Sequence, residues 1–128
     1  MAFVFLPNYQ DRGIFLTLET IKENTVFRRV YHRGKSFVHP ALVTYVMKNR
    51  AGHCRIGITS SKKIGNAVTR NRARRVIRAA LLGAEPSICG GYDIVFVARS
   101  RTAGCKSTDL VPVITAHLTE AGCMGNRP

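Results

Sequence analysis

The stretch Lys62-Lys-Ile-Gly-Asn-Ala-Val-Thr-Arg-Asn-Arg-Ala-Arg-Arg-Val-Ile-Arg78 decides how the chain is read. Gly65-Asn66 introduces a long helix that ends near Gly83. At about 100° per residue, Ala73, Val76, Ile77, Ala80 and Leu81 form one apolar stripe. Arg72, Arg74, Arg75 and Arg78 are expected on the opposite face, so the helix docks on a sheet and turns a row of guanidiniums outward. The planar guanidinium fork suits bidentate phosphate contact and base stacking. Lys62, Lys63 and Gly65-Asn66 precede the helix, where free backbone N–H groups and the helix dipole also attract anions. Seven positive charges in 17 residues with no acid point to a nucleic acid.

Outward from this segment the one-signed charge continues. The chain carries 20 Lys and Arg against 7 Asp and Glu, a net charge of +13. All seven acids lie outside Asn24–Ala84, a stretch that holds 14 of the basic residues. Surface helices normally interleave both signs, so these cations are expected to find their anions on another molecule. An ordinary small-molecule substrate fits such a surface poorly. At 128 residues the chain makes one domain of ~100–200 residues, and its 45% hydrophobic content is enough for a core. Cys54, Cys89, Cys105 and Cys123 are scattered without a CxxC pair, and the four His complete no zinc spacing. No metal site is expected, and the thiols read as those of a reduced, cytoplasmic protein. The apolar start Met1–Leu6 is cut by Pro7, and no run approaches the ~18 apolar residues of a membrane span.

A pass along the chain places the remaining elements. Asn24-Thr25 resembles an N-cap, with Val26, Phe27, Val30 and Tyr31 at helical spacing up to Gly34. Ser36 to Lys48 reads as one strand bent at Pro40, Asn49–Gly52 as a turn, and His53 to Ser60 as the returning strand of a hairpin. Tyr92–Ala98 reads as a short buried strand. Ser107 or Thr108 caps a last helix with Leu110, Val113, Ile114, His117, Leu118 and Ala121 on one side. The order helix, strand, strand, helix, strand, helix predicts an α+β fold, a single-domain α/β sandwich.

No catalytic constellation emerges. The basic half has no carboxylate pair for two metal ions, and Glu85 and Asp93 stand alone. Ser60-Ser61 beside Lys62-Lys63 fits a turn or a phosphate contact better than an activated nucleophile. Phe27 and Tyr31, at i and i+4, and Tyr45 in the next strand admit two readings. Aromatics beside cations are stacking platforms for unpaired bases, but an aromatic stripe at helical spacing is also what core packing produces.

Arg55 to Arg78 closely resembles the signature of the bacterial ribonuclease P protein subunit, and Arg70-Asn71-Arg72 matches its RNR motif. The likeness continues through Phe27-Arg-Arg-Val-Tyr-His-Arg-Gly34 and Asp93-Ile-Val-Phe-Val-Ala-Arg99. It divides the chain into an N-terminal extension (1–21), an RNA-binding domain (22–122) and a tail (123–128). The resemblance implies a mixed sheet with a left-handed βαβ crossover. It also implies a subunit that binds a catalytic RNA and the 5′ leader of precursor tRNA, while that RNA, holding most of the Mg²⁺, removes the leader. By similarity Lys62, Lys63, Asn66, Arg70, Asn71, Arg72, Arg74, Arg75 and Arg78 contact the catalytic RNA. Phe27, Tyr31, Val43 and Tyr45 line the leader cleft, and no side chain of this chain is catalytic. Thr20 and Glu23 stand where the family commonly has Arg or Lys, and Ser60 where it commonly has an apolar residue. The alternative from another class is a ribosomal-type structural RNA-binding protein.

Overall fold

A computed structural model describes residues 19–84, 88 and 90–124. The apolar start, Asp11, Glu85, Cys89 and the last four residues lie outside that set. The elements are β1 (Glu19–Thr20), α1 (Asn24–Arg33), β2 (Lys35–His39), β3 (Leu42–Lys48), β4 (Arg55–Thr59), α2 (Ala67–Ala84), β5 (Tyr92–Ala98) and α3 (Ser107–Ala121). One 3-10 turn, Lys62–Ile64, precedes α2, and another, Thr102–Gly104, precedes α3.

The five strands form one mixed sheet in the order β1-β4-β5-β3-β2. Side chains alternate across it. Leu42, Val46, Ile56, Ile58, Ile94 and Phe96 pack with Ala73, Ile77, Leu81, Leu110, Ile114 and Leu118, so α2 and α3 cover one face. Val95 packs with Ile21, Val26, Phe27 and Val30, so α1 covers the other. The result is the expected α+β sandwich, with helices on both faces of the sheet. β1 and the buried Ile21 join the sheet and core just ahead of residue 22.

Two strand readings are corrected. The stretch 36–48 is a hairpin rather than a bent strand. β2 pairs antiparallel with β3 in the register His39↔Leu42, with Pro40-Ala41 as its two-residue turn. The His39 ring nitrogen Nδ1 accepts the Ala41 N–H at 3.0 Å, bracing the turn from the residue before it. β4 does not return along β3. Both flank β5, β3 antiparallel and β4 parallel, with α2 as the crossover between β4 and β5. Asn49 directs this divergence. Its N–H donates to Gly91 O at 3.0 Å, extending the β3–β5 ladder. Its side-chain amide donates to His53 O and to Asp93 Oδ1.

Asp93 supplies the basic half with a counter-charge from outside it. It is fully buried and accepts two bonds from Arg55, Nε–Oδ1 at 2.7 Å and Nη2–Oδ2 at 2.8 Å. This pairing raises the Arg55 pKa above its ordinary value. His53 pairs similarly with Glu19, tying β1 to the loop before β4. The two partners of the Arg55–Asp93 pair are unequally buried, at 23% and 0% side-chain exposure. Arg55→Ala strands a buried carboxylate and should cost about 3–5 kcal/mol, whereas Asp93→Asn leaves a guanidinium that reaches water and should cost less. Chemical denaturation of the two variants tests the asymmetry; equal losses would contradict it.

Candidate RNA interface

Helix α2 presents its cations differently from the simple wheel. Lys62, Lys63, Asn66, Asn71, Arg72 and Arg75 are exposed and Arg70 is half-buried. Arg74 and Arg78 are buried, at 9% and 1% exposure, and do not belong to the outward row. α2 touches the sheet, α3 and the Thr102–Gly104 turn together, so its covered arc is wider than its apolar stripe. Long Arg stems line such an arc with methylenes while their heads find polar partners. Arg74 Nη1 donates to Ser60 Oγ at 2.6 Å, and Nη2 donates to Asn71 Oδ1. Burial, then the nearby Arg70 charge, lowers the Arg74 pKa below its ordinary value. Asn66 caps α2: its Oδ1 accepts from Thr69 N at 2.9 Å and Thr69 Oγ1 at 3.0 Å. Arg70 Nη1 reaches Gly65 O at 3.3 Å, which leaves its other donors available.

On the opposite face of the sheet lies a cavity of about 490 Å³ between α1 and the ends of β4 and β5. Phe27, Tyr31, Thr59, Ser60 and Val97 line it, and Asn24 and Arg28 of α1 also border it. Phe27 is a core residue beneath α1, 1% exposed, and it also borders the cavity. Tyr31 is half-buried, stands edge-on to Tyr45 with ring centroids 5.1 Å apart, and donates to Thr59 Oγ1 at 3.3 Å. Burial, opposed by the Thr59 bond and helped by Tyr45, raises the Tyr31 pKa, so the phenol keeps its proton. Val43 is paired with Val97 and sits one strand beyond the cavity wall, on the same face. The sequence did not single out Thr59, Ser60 or Val97 for this wall. Strand alternation would have revealed Thr59 and Val97 once β4 and β5 were known to be parallel partners, whereas Ser60 lies past the end of β4.

The two surfaces are continuous along the chain. β4 ends at Thr59 in the cavity wall, Ser60 and Ser61 border the cavity, and Lys62-Lys63 lead into α2. Among the described residues, no cluster of three or more His, Cys, Asp or Glu could hold a metal ion. None of their helices is long and apolar enough to cross a membrane.

A basic α+β sandwich with exposed arginines on one helix and an aromatic cleft on the other side of its sheet defines an RNA-binding protein. The ribonuclease P family profile matches residues 15–122. The ribonuclease P protein component of Clostridioides difficile is 48% identical over 92 residues, covering 70% of this chain and 81% of that protein. That of Clostridium botulinum is 40% identical over 103 residues, covering 80% and 93%. The solved Staphylococcus aureus RNase P protein superposes with a TM-score of 0.72 at 31% identity, over 85% of this chain and 100% of that one. The Thermotoga maritima protein shares the fold with a TM-score of 0.69 at 24% identity, over 80% of this chain and 96% of that one. This chain belongs to the ribonuclease P protein family, whose protein component works with an RNA subunit in tRNA processing.

Gly57 on β4 makes room for the Phe27 ring. A Cβ there would meet Phe27 Cε1 at 2.5 Å and Cζ at 2.7 Å, so only glycine lets the ring lie flat on β4. Gly57→Ala should destabilise the fold by about 1–3 kcal/mol through overpacking. Phe27→Leu in the same chain should return part of that loss, a coupling read from a double-mutant cycle in urea. Strictly additive losses would show that the ring is not what the new methyl meets.

Proposed function

We propose that this chain binds the catalytic RNA of ribonuclease P through the Lys62–Arg75 surface and holds the 5′ leader of precursor tRNA in the α1 cleft. The observation that carries this reading is the continuity of the two surfaces. Three residues, Ser60 to Lys62, connect an aromatic cavity to an exposed cationic helix start. A single protein can therefore touch the enzyme's RNA with one surface and an unpaired substrate strand with the other.

The proposed RNA contacts are Lys62, Lys63, Arg70, Asn71, Arg72 and Arg75. Arg74 and Arg78 support them from beneath, and Asn66 fixes the helix start. These side chains lower the repulsion between two RNAs and fix their register through phosphate contacts. In the cleft, Phe27 supplies an apolar wall, Tyr31 and Tyr45 supply half-buried rings, and Val43 extends the apolar face toward β2. Single-stranded RNA is held by stacking on such rings.

The cleavage chemistry belongs to the RNA in this reading. Mg²⁺ would supply Lewis-acid and nucleophile-activating chemistry, but the described residues do not fit it. Their one fully buried carboxylate, Asp93, is already engaged by Arg55 and Asn49. This chain's contribution is to bind, orient and neutralise. A structural role in a ribosome would use the cationic helix but gives no account of an aromatic cavity on the other face of the sheet.

The test is a reconstituted holoenzyme. Replacing Arg70, Arg72 and Arg75 by Ala should weaken binding of the RNA subunit by about 1–3 kcal/mol per strong contact and flatten the salt dependence. Tyr31→Ala should weaken precursor tRNA by about 1–3 kcal/mol while leaving mature tRNA, which has no leader, unaffected. An unchanged RNA affinity in the triple variant, or equal losses for both tRNAs with Tyr31→Ala, would refute the assignment.

A further inference from the structure

Ser60 occupies a position that the proposed role of the cleft does not by itself explain. It is 6% exposed and borders the cavity, just beyond the end of β4. Its Oγ accepts a 2.6 Å hydrogen bond from Arg74 Nη1. A guanidinium can only donate, so this contact assigns Ser60 the acceptor role and leaves its hydroxyl proton for another partner. A charged donor on the oxygen also polarises the O–H bond and strengthens it as a donor. Arg74 is held for this task, because Asn71 Oδ1 accepts from its Nη2 and its bond to Ser60 is buried. Thr59, the neighbouring hydroxyl in the wall, is not constrained in this way. Its partner Tyr31 OH can both donate and accept, so the pair can exchange roles.

We propose that Ser60 is a specificity-determining residue of the cleft, its hydroxyl donating a hydrogen bond to an acceptor atom of the single-stranded RNA held there. The proposal rests on the leader-binding reading above and deepens it. The surrounding wall is apolar on the side of Phe27 and Val97, so a nucleotide presenting an acceptor toward Ser60 gains a bond that water cannot easily replace. One presenting a donor meets a second donor and loses that bond. The acceptor is a base carbonyl or ring nitrogen, or a phosphate oxygen. Ser60 also joins the two surfaces physically, since the guanidinium that polarises it stands on the helix that carries Arg72 and Arg75.

The experiment compares wild-type, Ser60→Ala and Ser60→Thr proteins in holoenzymes reconstituted with the RNA subunit, with melting curves recorded for each. Dissociation constants are measured for a precursor tRNA and for its mature form at one fixed ionic strength. Ser60→Ala should weaken the precursor about tenfold, the loss of one good hydrogen bond, with the mature form unaffected. Ser60→Thr keeps the hydroxyl and should recover most of the affinity. Leaders carrying a single abasic site or a single methylphosphonate then locate the acceptor. The Ser60→Ala penalty should vanish with the abasic site if the acceptor is on the base, and with the methylphosphonate if it is a phosphate oxygen. Equal weakening of precursor and mature tRNA, or a penalty that no leader modification removes, would show that Ser60 only supports Arg74, and would overturn the proposal. A wild-type holoenzyme that does not distinguish precursor from mature tRNA would instead remove the leader-binding reading, and this proposal with it.

Discussion

Strand β5 runs between a parallel neighbour, β4, and an antiparallel one, β3, with both faces covered. Ile94, Phe96 and Ala98 face α2 and α3, while Val95 faces α1. Residues 93 to 96 are at or below 1% exposure, so the strand organises two cores at once. Each buried Ile, Val or Phe contributes about 1.5–3 kcal/mol relative to exposure. A shift of one residue in β5 would exchange its two faces and pull the buried Asp93 away from Arg55, which fixes its register. Because β5 is fixed, the end of β4 is fixed too, and with it the cavity wall and the start of the cationic helix.

The same arrangement manages an uneven charge. A net charge of +13 repels itself in a compact chain, and the fold answers at selected points. Asp93 meets Arg55 in the interior, and Glu19 meets His53 at the sheet edge. Arg74 is held by hydroxyl and amide oxygens of Ser60 and Asn71. Lys62, Lys63, Arg72 and Arg75 remain exposed. Their repulsion is relieved when a polyanion binds, so a surface that destabilises the isolated protein stabilises the complex.

Elements governed by local patterning were readable from the sequence. The apolar stripe of α2, the unbroken apolar run of β5 and the spacing in α3 each point to one element, and Gly34 ends α1 as expected. What required the third dimension was pairing. Pro40-Ala41 makes a two-residue turn, but Val38 and Val43 on either side have the same strand character, so 36–48 reads as one element. The loop after β3 carries turn residues, yet Asn49 binds Gly91 and Asp93, and this bond set sends β4 to the far side of β5. Burial of Arg74 and Arg78 was hidden because a helical wheel knows the helix's own stripe and not the second helix packed beside it. The cleft was half legible. The helical spacing of Phe27 and Tyr31 and the ring of Tyr45 do meet in one aromatic cluster, whereas Ser60 could be recognised only from the guanidinium placed against it.

In the proposed function, two different RNAs lie on two different surfaces of this small domain. Val68 on α2 and Val38 on β2 are exposed, at 69% and 66%, so each can carry a photo-crosslinking side chain without disturbing a core. Val68 stands on the cationic helix, and Val38 pairs with Val43 on the face that holds the cleft. In a holoenzyme bound to precursor tRNA, a crosslinker at position 68 should capture the RNA subunit and one at position 38 the tRNA leader. Capture of the leader from position 68, or of the RNA subunit alone from both positions, would contradict the account.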